Sequence, residues 1–202
     1  MPSKLIFLPG ASGNTEFWRP AAELLTHSAQ KVFIGWPGIG ATPPEIGVTG
    51  IQDFVSRTVA EINQPTALIA QSMGGVVAIL AARQRPQFVT HLVLVALSGG
   101  IETSDLGAHD WRPPENEITT ELRYAFACYR ENLEAELKES HAKTLLLWGE
   151  SDPVSPVAVG RRVASLCAHC EFHVIQGGTH TFAGTHAHLV APLINAHLSK
   201  AA

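Results

Sequence analysis

Six short apolar runs punctuate the chain: "KLIFLP", "KVFIGW", "TALIAQ", "HLVLVAL", "KTLLLWG" and "EFHVIQGG". Several are continuous rather than alternating, which is how a strand covered on both faces reads. The segments between them suit helices. "NTEFWRPAAELL" opens with cap-type residues, "TGIQDFVSRTVAEI" carries an apolar stripe at helical spacing, and "GGVVAILAARQRP" stops at a proline. Strand and helix in alternation predict an α/β fold with a parallel sheet and right-handed crossovers.

One segment breaks that rhythm. Residues 101–142, between "LVLVALSGG" and "KTLLLWG", contain "WRPPENE" and then an amphipathic stretch with Tyr124, Phe126 and Tyr129. A plain crossover needs one helix, so this insert carries extra content, and long insertions in compact domains often act as lids. With 202 residues, the expectation is one domain over 1–202 with a cap insert at about 101–142.

A second constraint is chemical. "TALIAQSMGGVVAILAARQRP" places Ser72 and then Gly74-Gly75 between two apolar segments. A serine gains nothing as core filler there, and paired glycines weaken the helix they open. At the carboxyl end of a parallel strand, however, ligands bind. A serine in a tight strand-to-helix turn projects its hydroxyl from the sheet, and the glycines let neighbouring backbone approach. Peptide N–H groups at the start of the helix, that of Met73 first, can meet a developing negative charge.

Serine needs a base, and the base an orienting group. "LLLWGESDPVSP" places Asp152 in the loop beyond one strand, and "EFHVIQGGTHTF" places His180 beyond the next. All three side chains therefore fall beyond one sheet edge, in the order Ser, Asp, His. His173 falls within a strand and His186, His188 and His197 in a terminal helix, so His180 is the histidine in a post-strand loop. Asp152 competes with Glu150 in the same loop and with Asp105 and Asp110 in the insert; its place before Pro153 favours it.

On these motifs the chain resembles the α/β-hydrolase superfamily over nearly its whole length. "AQSMGG" is similar to the nucleophile elbow, "GWPGIGATPP" to a glycine-rich loop after the second strand, "WGESDPVSP" to the acid loop and "GGTHTF" to the histidine loop. The resemblance implies a three-layer α/β-hydrolase fold with a six-stranded, mainly parallel sheet and a short helical cap, the two N-terminal strands of the full family fold being expected to be missing. Ala70 replaces the first glycine of G-x-S-x-G, adding one methyl at a packing position. "LPGASGN" stands where a His-Gly often opens the oxyanion loop, and by position the N–H groups of Ala11 and Met73 would hold the oxyanion.

The implied activity is that of a serine hydrolase cleaving carboxylic esters of small to medium acyl chain through Ser72, His180 and Asp152. It requires no cofactor and no metal. Thioester cleavage, cofactor-free perhydrolase chemistry and carbon–carbon bond hydrolysis use the same groups, and a non-catalytic receptor could keep them as inheritance. Trp18, Trp111, Tyr124, Tyr129 and Val154 are the candidate pocket residues, and the insert, through Tyr124, Phe126 and Tyr129, is expected to cover Ser72 and set acyl preference by apolar contact; large aromatics usually serve the core, as expected of Trp148.

Other function classes find little support. The net charge of −4 and the absence of a basic run argue against a nucleic-acid partner. "GASG" and "GIG" are not phosphate loops, since neither is a G-x-G-x-x-G opening a helix and no G-K-[ST] follows. Cys167 and Cys170 have C-x-x-C spacing but lack a second ligand pair. No apolar run approaches the ~18 residues of a membrane span. The apolar run in "MPSKLIFLPG" is too short for a secretory signal, so the expected location is the cytoplasm and the expected partner a small-molecule ester.

Overall fold

The computed structural model describes residues 1–112, 114–117 and 121–201, with the side chains of Glu115 and 121–124 outside that set. Six strands form one sheet: β1 (Lys4–Leu8), β2 (Gln30–Phe33), β3 (Thr66–Gln71), β4 (Val89–Val95), β5 (Lys143–Gly149) and β6 (Cys170–Ile175). Their order is β2-β1-β3-β4-β5-β6, and all five pairings are parallel. Expected as mainly parallel, the sheet is wholly so.

The continuous apolar runs have a direct explanation in the two cores. Ile6, Leu8, Leu68, Leu92, Leu94, Leu146 and Trp148 face one side, with α2 (Ile51–Glu61), α3 (Gly74–Gln84) and α6 (Val157–Leu166). Leu5, Phe7, Ala67, Ile69, Val93, Val95, Leu145 and Leu147 face the other, with α1 (Arg19–Glu23), α7 (Phe182–Thr185) and α8 (Ala187–Leu198). Neighbouring residues on a strand point to opposite faces, so covering both faces demands an apolar residue at every position. β6, at the edge, is only half-buried and carries polar residues such as Glu171 and His173.

The insert divides into parts with different jobs. α4 (Glu121–Cys128) packs against α2, while α5 (Glu134–Glu139) packs between α3 and α6. Leu133 and Leu137, four residues apart, are buried in the core, and Arg83 and Arg162 pair with Glu136 and Glu134 at the helix surface. α5 is therefore the ordinary crossover helix between β4 and β5. α5 falls within 101–142, the segment expected as a cap insert, and packs on the core.

Two aromatic expectations change. Phe126 is fully buried and forms a cluster with Trp36 and Phe54, at centroid distances of 5.8 and 5.3 Å. It anchors α4 to α2 and lines no open surface. Trp18, expected as a pocket residue, is also fully buried, between Phe7 and Phe17. Its indole Nε1 donates to the Leu8 carbonyl at 2.9 Å, at the carboxyl end of β1. Truncating Phe126 to alanine should cost about 3–5 kcal/mol of stability, as for buried aromatics generally. Denaturant unfolding would measure it, and a loss below ~1 kcal/mol would show that α4 is not held by this cluster.

At the opposite end of the sheet His91 and His197 are buried, with rings edge to face at 5.1 Å. His91 Nε2 donates to the Lys200 carbonyl at 3.2 Å and His197 Nε2 to the Lys143 carbonyl at 3.1 Å. Burial, and then the neighbouring His197, lower the His91 pKa to about 4; burial also lowers that of His197, against the pull of the Lys143 carbonyl and Glu171. Both are depressed from the unfolded value of 6.5, so below it the unfolded chain binds more protons than the folded one. Their contribution to stability is complete above pH 6.5 and is lost as pH falls toward 4. Urea midpoints should fall between pH 7.5 and 5, and His91→Gln should flatten that slope; an unchanged slope would remove His91 as its source.

Candidate active site

β3 ends at Gln71 and α3 begins at Gly74, leaving Ser72 and Met73 to make the turn. Ser72 adopts φ 54, the left-handed region that a non-glycine residue rarely enters. Its N–H donates to the Val95 carbonyl at the end of β4 at 2.9 Å, and its carbonyl accepts from Gly75 at 3.0 Å. The glycines allow the close approach that this geometry requires. A Cβ on Gly74 would fall onto the Pro9 carbonyl, and one on Gly75 would lie 2.5 Å from Leu97 Cδ1.

The Ser72 hydroxyl oxygen lies 3.0 Å from His180 Nε2, and His180 Nδ1 lies 2.8 Å from Asp152 Oδ2. An ionised carboxylate only accepts, so Nδ1 carries the proton and Nε2 is the acceptor facing Ser72. Asp152 is almost wholly buried. Its other oxygen, Oδ1, accepts from the N–H groups of Val154 and Ser155 at 2.9 and 3.0 Å. The carboxylate is thus fixed by its own turn on one side and by the imidazole on the other. The structure brings together the three residues expected from the sequence, whereas Glu150 bonds Gln176 and Gly177, and Asp110 pairs with Arg112.

Beside this constellation lie two unengaged donors. Among the described residues neither the Ala11 N–H nor the Met73 N–H meets an acceptor. The Gly10 carbonyl accepts from Trp36 Nε1 at 2.9 Å, and in a trans peptide this turns the Ala11 N–H the opposite way. The Ser72 carbonyl is likewise engaged by Gly75, which turns the Met73 N–H outward. Gly10 itself packs against the Ser72 turn, since a Cβ there would sit 3.2 Å from Ser72 Cβ. Trp18 and Trp36 therefore brace the loop after β1 through the Leu8 and Gly10 carbonyls.

Three residues escaped the sequence analysis. Gln71 Nε2 donates to the His180 carbonyl at 3.3 Å and steadies the histidine loop. Ser155 Oγ donates to the Leu97 carbonyl at 2.6 Å and accepts from Trp148 Nε1 at 3.0 Å. Ser98 Oγ lies 2.6 Å from Ser72 Oγ. Its signal was present in "LVLVALSGG", a strand end followed by serine and two glycines.

A cavity of about 410 Å³ runs from Ser98 under the insert, lined among others by Trp111, Arg112, Tyr129, Arg130 and Val154. Of the expected pocket residues it unites Trp111, Tyr129 and Val154; the Tyr124 side chain lies outside the described set. The walls are more polar than an acyl tunnel. Arg112 lies over the Trp111 ring at 5.5 Å and pairs with Asp110, and the Tyr129 hydroxyl meets Glu131. Burial, with Glu131 adding to it, raises the Tyr129 pKa and keeps the phenol protonated. The insert is tied to the acid loop by the His109 N–H on the Pro153 carbonyl, and to the loop after β4 by the Leu133 N–H on the Gly100 carbonyl. A second cavity, of about 440 Å³, lies far from Ser72, near Val89 and Ala142 at the amino ends of β4 and β5.

Cys167 and Cys170 sit where α6 leads into β6. Burial raises the Cys167 thiol to about 12 and raises Cys170 as well, which suits packing rather than thiolate chemistry. Among the described residues no helix is long and apolar enough to cross a membrane.

Comparison with known proteins agrees with this architecture. Over 96 residues the chain is 28% identical to the pimeloyl-[acyl-carrier protein] methyl ester esterase of Aliivibrio salmonicida, a match covering 48% of this chain and 36% of that protein. The chain thus matches only about a third of that relative's length. The meta-cleavage product hydrolase of Pseudomonas fluorescens superposes with a TM-score of 0.78 at 17% identity, over 97% of this chain and 90% of the other. An esterase from Thermogutta terrifontis superposes at 0.75 with 16% identity, over 96% and 89%. These likenesses show the fold. Residues 5–130 match the profile of the alpha/beta hydrolase family, and the chain belongs to that family.

Proposed function

We propose that the protein hydrolyses carboxylic esters through an acyl-enzyme on Ser72. The observation that carries this reading is the unbroken path from Asp152 Oδ2 through both nitrogens of His180 to the Ser72 hydroxyl, at 2.8 and 3.0 Å. The relative from Aliivibrio salmonicida is named for cleaving a methyl ester, which supports ester chemistry here.

In the proposed reaction Ser72 Oγ attacks the ester carbonyl while His180 Nε2 takes its proton. The carbonyl pair moves onto oxygen, where the Ala11 and Met73 N–H groups meet it; such donors are each worth ~3–4 kcal/mol. The intermediate collapses, the C–O bond to the alcohol breaks, and His180 returns the proton to the leaving oxygen. Water then attacks the acyl carbonyl by the same route and regenerates Ser72. Asp152 holds the imidazole in the Nδ1–H tautomer and stabilises its charged form.

The acyl group occupies the cavity beneath the insert. At about 410 Å³ that space suits a small or medium group. Its arginines, carboxylates and phenol favour a polar acyl chain over a plain alkyl one, because an alkyl group there would leave polar walls without partners. This revises the expectation that insert aromatics set acyl preference by apolar contact.

A fluorophosphonate probe should label Ser72 in the parent and leave Ser72→Ala unlabelled, as peptide mass spectrometry would show. Absence of label in folded parent protein would sink the reading. A hydrolysis screen over esters and thioesters, with plain and polar acyl groups of matched length, would fix the leaving atom and the acyl class. Asp152→Asn should fold normally and lose roughly 10⁴-fold in kcat, since an amide favours the other imidazole tautomer. Asp110→Asn should stay within a few-fold of the parent; if it alone collapses activity, the acid has been assigned to the wrong loop.

A further inference from the structure

We propose that Ser98 is a fourth catalytic residue, whose hydroxyl donates to Ser72 Oγ and stabilises the charge that forms there when the acyl-enzyme breaks down. The inference rests on the esterase reading above and adds to it a group that the triad does not contain.

Proton counting assigns the direction of the 2.6 Å contact between the two hydroxyls. His180 Nδ1–H donates its hydrogen bond to Asp152 and keeps its proton, so in the neutral ring Nε2 must accept, and Ser72 holds the proton shared with it. A hydroxyl has one proton. Ser72 spends its own on His180, and Ser98 is therefore the donor in their shared bond.

The backbone is built to hold Ser98 there. Ala96, two residues earlier, adopts φ 48; apart from Ser72, it is the other non-glycine residue at positive φ among the described residues. The two stand just past adjacent strands, β3 and β4. The Ala96 N–H donates to the Leu147 carbonyl at 2.9 Å, and the Leu97 carbonyl accepts from Ser155 Oγ at 2.6 Å. Ser155 is in turn part of the Asp152 turn. Next along the chain, Gly99 packs so closely on Met73 that a Cβ would lie 2.5 Å from its sulfur. A left-handed alanine braced on both sides is costly, and such conformations persist where a side chain must be aimed.

The consequence differs between the two half-reactions. In the free enzyme Ser72 Oγ is a hydroxyl oxygen already accepting from Ser98, so acylation gains little from a bond that exists beforehand. In the acyl-enzyme the same atom is an alkoxy ester oxygen, a poor acceptor. When water has added, its proton passing to His180, the C–Oγ bond breaks and its electron pair stays on Oγ. Oγ then takes the proton back from Nε2, and Ser98 keeps its own throughout. The Ser98 bond strengthens as that pair arrives, which is an interaction favouring the transition state over the ground state.

The test is transient and steady-state hydrolysis of p-nitrophenyl acetate by the full chain, with fluorophosphonate labelling in parallel. Ser98→Ala should still be labelled at Ser72 and release a burst of nitrophenol. Its kcat should fall about tenfold to a hundredfold, at or below the effect of losing an oxyanion-hole donor. KM should fall with it, because acyl-enzyme accumulates. Ser98→Thr, which keeps the hydroxyl, should recover most of the loss, while Ser98→Cys, similar in size but a weak donor, should not. Parent-like kcat in Ser98→Ala, or equal losses in kcat and kcat/KM without accumulated acyl-enzyme, would overturn the inference while leaving the esterase reading intact. Failure to label Ser72 in the parent would overturn both. Should Ser98→Ala not fold, the Ser98→Cys variant decides by the same kinetic split.

Discussion

The close approach of the α3 amino terminus to the loop after β1 is the constraint on which the rest of the site depends. Gly74 rests against the Pro9 carbonyl and Gly10 against Ser72, so the Ser72 turn and the loop carrying Ala11 form one packed unit. Neither could sit there with a side chain in the way. The turn is held in its left-handed conformation from outside, by the Val95 carbonyl of the next strand, because Ser72 would not choose φ 54 alone. Strain at one residue is sustained by hydrogen bonds from a parallel sheet that is itself buried on both faces.

That dependence explains why tryptophans appear where the chain has little room for them. Trp18 and Trp36 are fully buried, and each spends its single N–H on a carbonyl of the loop after β1. A buried indole without a partner would be costly, and an unsupported loop carbonyl equally so; the pairing removes both costs. It also sets the orientation of the next peptide, and so of the Ala11 N–H. Trp148 holds the acid loop by a different contact, donating to the side-chain hydroxyl of Ser155. Trp18 and Trp36 thus act on the site through backbone orientation, and Trp148 through a side chain of the loop.

Much of this architecture was legible in the residues, and the limit of legibility has a physical cause. Period and continuity of the apolar runs announced six strands covered on both faces, and strand-end positions singled out Ser72, Asp152 and His180. What strand-end reasoning cannot supply is the direction of a side chain within a loop. Trp18 and Phe126 read as candidates for a ligand surface because aromatics in irregular segments are ambiguous; burial decides between core and pocket, and burial is a tertiary property. The same holds for the insert, whose Leu133 and Leu137 belong to a crossover helix although they follow a segment that covers the cavity. Ser98 was accessible to the rule that found Ser72, since "LSGG" follows β4 as "SMGG" follows β3. It was missed because adjacency of the two strand ends is not written in either segment alone.

The acid loop shows how one short turn can serve several ends at once. Asp152 gives one oxygen to two N–H groups of its own turn and the other to His180, so its orientation is fixed from both sides. Ser155, held by that same oxygen, reaches back to the Leu97 carbonyl and fixes the exit of β4. The Pro153 carbonyl accepts from His109 and ties down the front of the insert. A displacement of this turn would therefore move His180, the exit of β4 and the cavity wall together. Coupling of that kind favours a preorganised site, because each group is held by partners that the others also need. It also means that substitutions at Ser155 act on several parts of the site in concert, so their effects will not add to those at Asp152 as independent sites would.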